Sequence, residues 1–227
     1  ESSNQTTITN GTTASSNNSN QWSGAAYVYR RSGTTWSQEA YIKPANYSYR
    51  NHFGERLSLD GDTLVVGSAY EGSNQTTITT SAPSNQNTQK SKSGAVYVYR
   101  RTGTTWALES YIKAVNSDVD DYFGYNVSID NDTLVVAAAG EDSNQTTTTN
   151  GTTASSDNNL SNSGAVYVYK RTGTTWAQEA YIKASNSKNS LQFGSVKIAD
   201  NFLFVGASKD DSNQTSISND NTSSSNT

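Results

Sequence analysis

Cysteine and methionine are both missing from this 227-residue chain, proline occurs twice and histidine once. Without cysteine there is neither a disulfide nor a thiolate site. A primary translation product begins with methionine, so the sequence reads as a processed product or a section of something longer. No run of about 18 apolar residues and no signal-peptide pattern is present, so no membrane span is expected and any export signal is expected to have been removed. Lys and Arg form no long block, and 16 of them against 20 Asp and Glu give a net charge of −4, which argues against nucleic acid as a partner. The lone His52 has no cysteine, elbow serine or recurring acid partner beside it. That is poor material for acid–base or nucleophilic chemistry, so no catalytic residues and no enzyme are expected. No segment sustains a helical period, so helix content should be close to nil.

What is present is a repeat. Ser93 to Trp106 returns as Ser163 to Trp176 with one change, Arg100 to Lys170, and appears in a degraded form as Ser23 to Trp36. The step is 70 residues, since 93 − 23 and 163 − 93 agree, and Phe53-Gly54, Phe123-Gly124 and Phe193-Gly194 keep it. Tandem units of this length lean on their neighbours to bury a face, so residues 1–227 are read as one array. Its parts are a polar Asn/Thr-rich tract at 1–22, then repeats at 23–92, 93–162 and 163–227, the last ending in a polar tract. One residue is deleted in the last unit, where Asn-Gln-Thr starts at 213 instead of 214.

Within each unit the pattern predicts four strands. Ala25 to Arg31 is rich in Tyr and Val; a Gly-containing turn follows, then Thr35 to Lys43. Alternation in that return strand puts Trp36, Gln38, Ala40 and Ile42 on one face and Ser37, Glu39, Tyr41 and Lys43 on the other. After Phe53-Gly54 comes a third strand, a tight turn at Asp60-Gly61 expected to be type I′, and the apolar strand Thr63 to Ala69, whose composition suits burial on both faces. The polar tracts that follow cannot offset their ordering entropy by apolar burial and read as mobile loops.

Four strands per unit, one long loop and no helix suggest antiparallel propeller-type blades. The order Phe-Gly, strand, tight turn, Leu-Val-Val-Gly, loop, Ser-Gly-Ala-Val-Tyr-Val-Tyr resembles the FG-GAP repeat, known from the seven-bladed β-propeller of integrin α subunits and from bacterial surface and secreted proteins. The resemblance covers essentially the whole chain and is strongest to the bacterial type. It implies an all-β array of four-stranded blades, with Phe53, Gly54, Phe123, Gly124, Phe193, Gly194, Trp36, Trp106 and Trp176 as repeat-fold positions. Two departures stand out. Asp60-Gly-Asp62 and Asp130-Asn-Asp132 are too short for the calcium loop of the integrin type, so no cofactor is expected and calcium has no complete loop. Seven such blades would need about 490 residues, so this chain cannot close that ring alone.

If a blade begins at Phe-Gly, the chain holds the last two strands of one blade, two whole blades and the first two strands of another. Each terminal half-blade leaves an open sheet edge, a template for pairing with another chain. Head-to-tail contacts of this kind give a ring or a filament. Sequons at Asn4, Asn10, Asn74, Asn144, Asn150 and Asn213 suggest a glycan-coated exterior, with O-linked sugar on the Thr runs as a further candidate, although Asn- and Thr-rich composition also generates sequons by chance. Asp118, Asp120 and Asp121 are weak candidates for a hard-cation site. The tryptophans and tyrosines serve inter-blade packing or sugar stacking. The basic pairs before the turns read as edge protection. The expectation is a non-enzymatic, glycosylated structural protein of an extracellular or cell-surface filament, its partner another copy of itself. The rival reading is a fragment of a closed propeller that binds a cell-surface protein or glycan.

Overall fold

The computed structural model describes residues 1–46, 50–83 and 89–213, and no helix occurs among them. Fifteen strands follow one another: β1 (Thr9–Asn10), β2 (Ala26–Ser32), β3 (Thr35–Ile42), β4 (Arg56–Asp60), β5 (Thr63–Ser68), β6 (Ile78–Thr79), β7 (Ala95–Thr102), β8 (Thr105–Ile112), β9 (Phe123–Asp130), β10 (Thr133–Ala138), β11 (Thr149–Asn150), β12 (Ala165–Thr172), β13 (Thr175–Ile182), β14 (Phe193–Ala199) and β15 (Phe202–Ala207). They form four antiparallel sheets: β1-β3-β2, then β4-β5-β7-β8-β6, then β9-β10-β12-β13-β11, then β14-β15. Two complete blades are thus flanked by complementary halves, in the phase expected from the Phe-Gly step. The described sheets do not close into a ring.

Each long hairpin forms because a Val/Tyr strand meets a Gly turn. Gly33, Gly103 and Gly173 take φ of 60–65° there, a region that costs glycine little. The centre of each full blade is its apolar strand: β5 is buried at every position and β10 at all but the first. Packing between blades is aromatic on one side and aliphatic on the other. Tyr97, Tyr99, Trp106 and Tyr111 lie against Ala26, Ala40 and Ile42, and one blade on, Tyr167, Tyr169, Trp176 and Tyr181 lie against Val96, Val98 and Ile112. The Phe-Gly motif stitches these layers. Phe53, Phe123 and Phe193 each donate a backbone N–H to the carbonyl of Ser23, Ser93 and Ser163, at 3.2, 3.0 and 3.1 Å.

Four expectations need correction. The polar tracts at 1–22 and 141–162 are not mobile loops throughout: β1 and β11 pair with β3 and β13, as β6 pairs with β8, giving each full blade a short fifth strand that covers its outer edge. The return strands do not alternate from end to end. Val28 faces Ala40 but Tyr29 faces Gln38, so Glu39 is the extra residue of a bulge, and Trp36 and Gln38 share a face with Tyr41, not with Ala40 and Ile42. The same bulge recurs at Glu109 and Glu179. The tight turn after Asp60 is formed by Gly61-Asp62, with a positive φ at Gly61 alone, whereas a type I′ turn needs it at both central residues. Finally, β15 is only half covered, alternating exposed and partly buried, because among the described residues no following sheet lies on its outer face.

The deletion in the last unit also has a place. Ile129 N donates to Ser58 Oγ and Ile198 N to Ser128 Oγ, both at 3.1 Å, so Ile198 corresponds to Ile129 and one residue is lost between Phe193 and Val196. It is taken from an irregularity in the pairing, where β9 spends Phe123 to Asn126 against Ala138 and Ala137 but β14 spends one residue fewer.

Candidate interaction surfaces and buried polar nodes

At the first two internal joints the bulged glutamate reaches across to the next blade. Arg101 donates Nε to Glu39 Oε1 at 2.6 Å and Nη2 to Oε2 at 2.9 Å, and Trp106 Nε1 donates to Oε1 at 3.0 Å. Seventy residues on, Arg171 meets Glu109 at 2.8 and 2.7 Å, and Trp176 Nε1 meets Oε1 at 2.9 Å. These planar two-point pairs are among the stronger polar contacts a protein makes. Arg101 raises no special signal in the sequence; only the bulge, which turns Glu39 toward the next sheet, reveals its partner. Contact with Arg101 holds the Glu39 carboxyl below its ordinary range.

The chain also carries one unmatched half of this clamp at each end. Arg31 and Trp36 are the counterparts of Arg101 and Trp106, yet Trp36 is 65% exposed against 3% for Trp106 and 2% for Trp176. Tyr27 and Tyr29, counterparts of the fully buried Tyr97 and Tyr99, are likewise open. At the other end Glu179, counterpart of Glu39 and Glu109, is exposed, and so are Phe202 and Phe204, which stand where β10 has Thr133 and Val135. Leu57 and Leu59 of β4 are exposed too, although Val127 and Ile129 at the same places of β9 are buried in the core between the two full blades.

A second recurring feature is buried. Lys113 Nζ lies 3.0 Å from Glu71 Oε2 and 2.7 Å from Ser93 Oγ; Lys183 Nζ lies 2.7 Å from both Glu141 Oε2 and Ser163 Oγ. Lys43, Glu1 and Ser23 repeat the arrangement. Each node ties the end of a blade's fourth long strand to the start of its polar tract. Burial is the main influence on all three lysines and lowers their pKa below the ordinary amine value.

The three aspartates do not converge. Asp118 accepts from Val119 N and Asn158 Nδ2, Asp120 pairs with Lys92 at 3.1 Å, and Asp121 is buried with Oδ2 accepting Asp118 N at 2.6 Å. No group of three or more ligating side chains is found among the described residues. Burial pushes the Asp121 carboxyl up to about 8, with nearby Glu141 and Asp118 adding to the effect and the Asp118 N–H opposing it. His52 stacks 4.5 Å from Tyr70 and lies edge-on to Trp22. The six candidate glycosylation asparagines, Asn4, Asn10, Asn74, Asn144, Asn150 and Asn213, are exposed. Asn10 differs from its counterpart Asn150: its Oδ1 accepts the Trp106 N–H at 2.8 Å across the first joint. Residues 214–227 of the last unit lie outside the described residues.

Antiparallel blades stacked at a 70-residue step, with aromatic and aliphatic faces interleaved, define a tandem-repeat β protein of propeller-blade type. The FG-GAP repeat family model matches residues 36–82 and 106–169, and the chain carries FG-GAP repeats in these two regions. A comparison with curated proteins gave no match.

Proposed function

We propose that the chain is a non-enzymatic structural protein of an extracellular or cell-surface filament, in which β14–β15 of one copy and β2–β3 of the next complete a blade. One observation carries this reading: the two open ends are the two halves of the joint that the chain builds twice internally. Transferring the β5–β7 register places Leu203 opposite Tyr29 and Val205 opposite Tyr27 of the second copy. Glu179 then meets Arg31 and Trp36, and Phe204 covers Leu57 and Leu59. The contact is heterologous, so it propagates. Exposed aromatic and aliphatic side chains would leave water on both partners, each contributing about 1.5–3 kcal/mol when fully buried. Sugar on the exposed sequons would coat the outside of such a fibre and keep the uncharged tracts soluble.

Negative-stain electron microscopy of the 227-residue chain, with native mass on the same sample, tests the reading. Fibres that disappear in both Glu179→Lys and Trp36→Ser variants, each still folded as a monomer, are expected. A chain that stays monomeric at high concentration, or fibres indifferent to both changes, would overturn it.

A further inference from the structure

Two of the three buried lysine nodes contain one more group, an asparagine amide from the loop that leaves the preceding blade. Glu71 holds Lys113 Nζ on Oε2 at 3.0 Å and Asn46 Nδ2 on Oε1 at 3.2 Å. Tyr97 donates its hydroxyl to Asn46 Oδ1 at 2.6 Å. Lys113, Asn46, Glu71 and Tyr97 are all 3% exposed or less, and the rings of Phe53 and Tyr111 lie 5.1 Å from that of Tyr97. The second node repeats the four groups, with Asn116 only partly buried and its Nδ2 also donating to the Ser155 carbonyl. Glu141 holds Lys183 Nζ on Oε2 at 2.7 Å and Asn116 Nδ2 on Oε1 at 3.2 Å, and Tyr167 donates to Asn116 Oδ1 at 2.7 Å.

We propose that these nodes are sites of self-catalysed amide formation, joining Lys113 to Asn46 and Lys183 to Asn116 and so cross-linking each full blade to the one before it. An amine, a carboxamide and a carboxylate bridging the two are the complete set of groups the reaction needs. The Glu71 carboxylate takes a proton from the Lys113 ammonium, and the freed Nζ lone pair attacks Cγ of Asn46. The negative charge that develops on Oδ1 is met by the Tyr97 hydroxyl, placed as an oxyanion donor. Glu71 then returns the proton to Nδ2, the Cγ–Nδ2 bond breaks, and the departing ammonia takes the second Nζ proton and leaves as ammonium ion. The sum is ammonium plus carboxamide giving a secondary amide plus ammonium ion, with Glu71 regenerated and no oxidant or cofactor consumed.

The surroundings favour each step. Burial lowers the Lys113 pKa and so eases the loss of its proton, and the same burial raises the Tyr97 pKa well above the ordinary value, keeping that hydroxyl a donor. Water, which would compete for the oxyanion donor, is kept out by the aromatic wall. The first node is a built-in control. The Glu1 carboxylate takes Lys43 Nζ and Ser3 N and, among the described residues, no asparagine amide, so Lys43 stays unlinked within one chain.

The test is the intact mass of the 227-residue chain, made in a host that adds no glycans and measured under denaturing conditions, followed by peptide mapping. The expected mass is that of the sequence less two molecules of ammonia, with branched peptides joining Lys113 to Asn46 and Lys183 to Asn116. In Glu71→Gln, whose fold is checked by the shielded fluorescence of Trp106, one ammonia should be regained and only the Lys113 branch lost. Asn46→Asp should release water in place of ammonia at that site. A wild-type mass equal to that of the sequence, with Lys113 and Lys183 recovered only in linear peptides, would overturn the proposal. A bond that persists undiminished in Glu71→Gln would overturn the proton-relay role of Glu71.

Discussion

Glu109 lies on one blade and Arg171 on the next, and the guanidinium grips the carboxylate at two points, 2.8 and 2.7 Å. The pair exists because the bulge in β8 removes Glu109 from the strand's alternation, and Trp176 Nε1 supplies a third bond to the same carboxylate. Both partners are largely buried. Glu109→Ala should therefore destabilise the chain by about 3 kcal/mol, since it strands a mostly buried guanidinium. Urea unfolding with Arg171→Ala and the double variant would isolate the coupling; an additive double variant would show that the clamp contributes nothing.

Acid should weaken the first joint. The Glu39 carboxyl has its pKa lowered mainly by Arg101, so its folded value lies below the unfolded one. Its contribution is complete above the unfolded value, about 4.3, and is lost as pH falls through the folded value. Stability measured between pH 5 and 2 should fall less steeply in Arg101→Gln than in the parent chain.

Asp121 should act in the opposite direction. Burial pushes its carboxyl up to about 8, so between about pH 4 and 8 the folded chain holds a proton that the unfolded chain has released. Its effect on stability is lost as pH rises through that window, with a slope of at most about 1.4 kcal/mol per pH unit. Asp121→Asn, which installs the residue found at the equivalent Asn51, should flatten the slope and stabilise the chain near neutrality. Unfolding titrations at pH 5, 6.5 and 8 would show it.

Two glycines with similar φ should respond very differently to alanine. At Gly94, with φ +83°, a Cβ would come within 2.0 Å of the Phe123 carbonyl oxygen; at Gly103, with φ +64°, nothing lies within 4 Å. Gly103→Ala should cost only the backbone strain, about 1–2 kcal/mol. Gly94→Ala must push two blades apart and should lose cooperative unfolding altogether. Equal midpoints for the two variants would contradict the close approach.

Trp36 should report assembly. It is largely exposed in one copy, and covering it as Trp106 is covered should shift its emission to the blue. Following Trp36 in a Trp22→Phe background while concentration rises measures the association; no shift across the concentration at which fibres appear would place Trp36 outside the contact.

Much of the fold was legible in the sequence because it is local. The 70-residue step, the phase of the half-blades and the Gly turns of the Val/Tyr hairpins follow from residue spacing and from the few residues that tolerate positive φ. The Glu–Arg–Trp clamp was not legible. Glu39 reads as one alternating residue among others until the bulge turns it, and Arg101 lies 62 residues away. The polar tracts concealed β1 and β11 for a related reason: a two-residue strand has no period of its own and exists only because β3 and β13 offer an edge.

Sequence by itself determined the blade, since alternating Val and Tyr around a Gly turn make a hairpin wherever they occur. Only the tertiary structure decided burial. Tyr27-Val-Tyr29 and Tyr97-Val-Tyr99 are identical in residues and in repeat position, yet the first pair of tyrosines faces solvent and the second is wholly covered. The difference lies in the neighbour. Burial is a property of the face laid against a strand, and a repeat supplies that face from the preceding unit, which Tyr97 has in Ala26 and Ile42 and Tyr27, among the described residues, lacks.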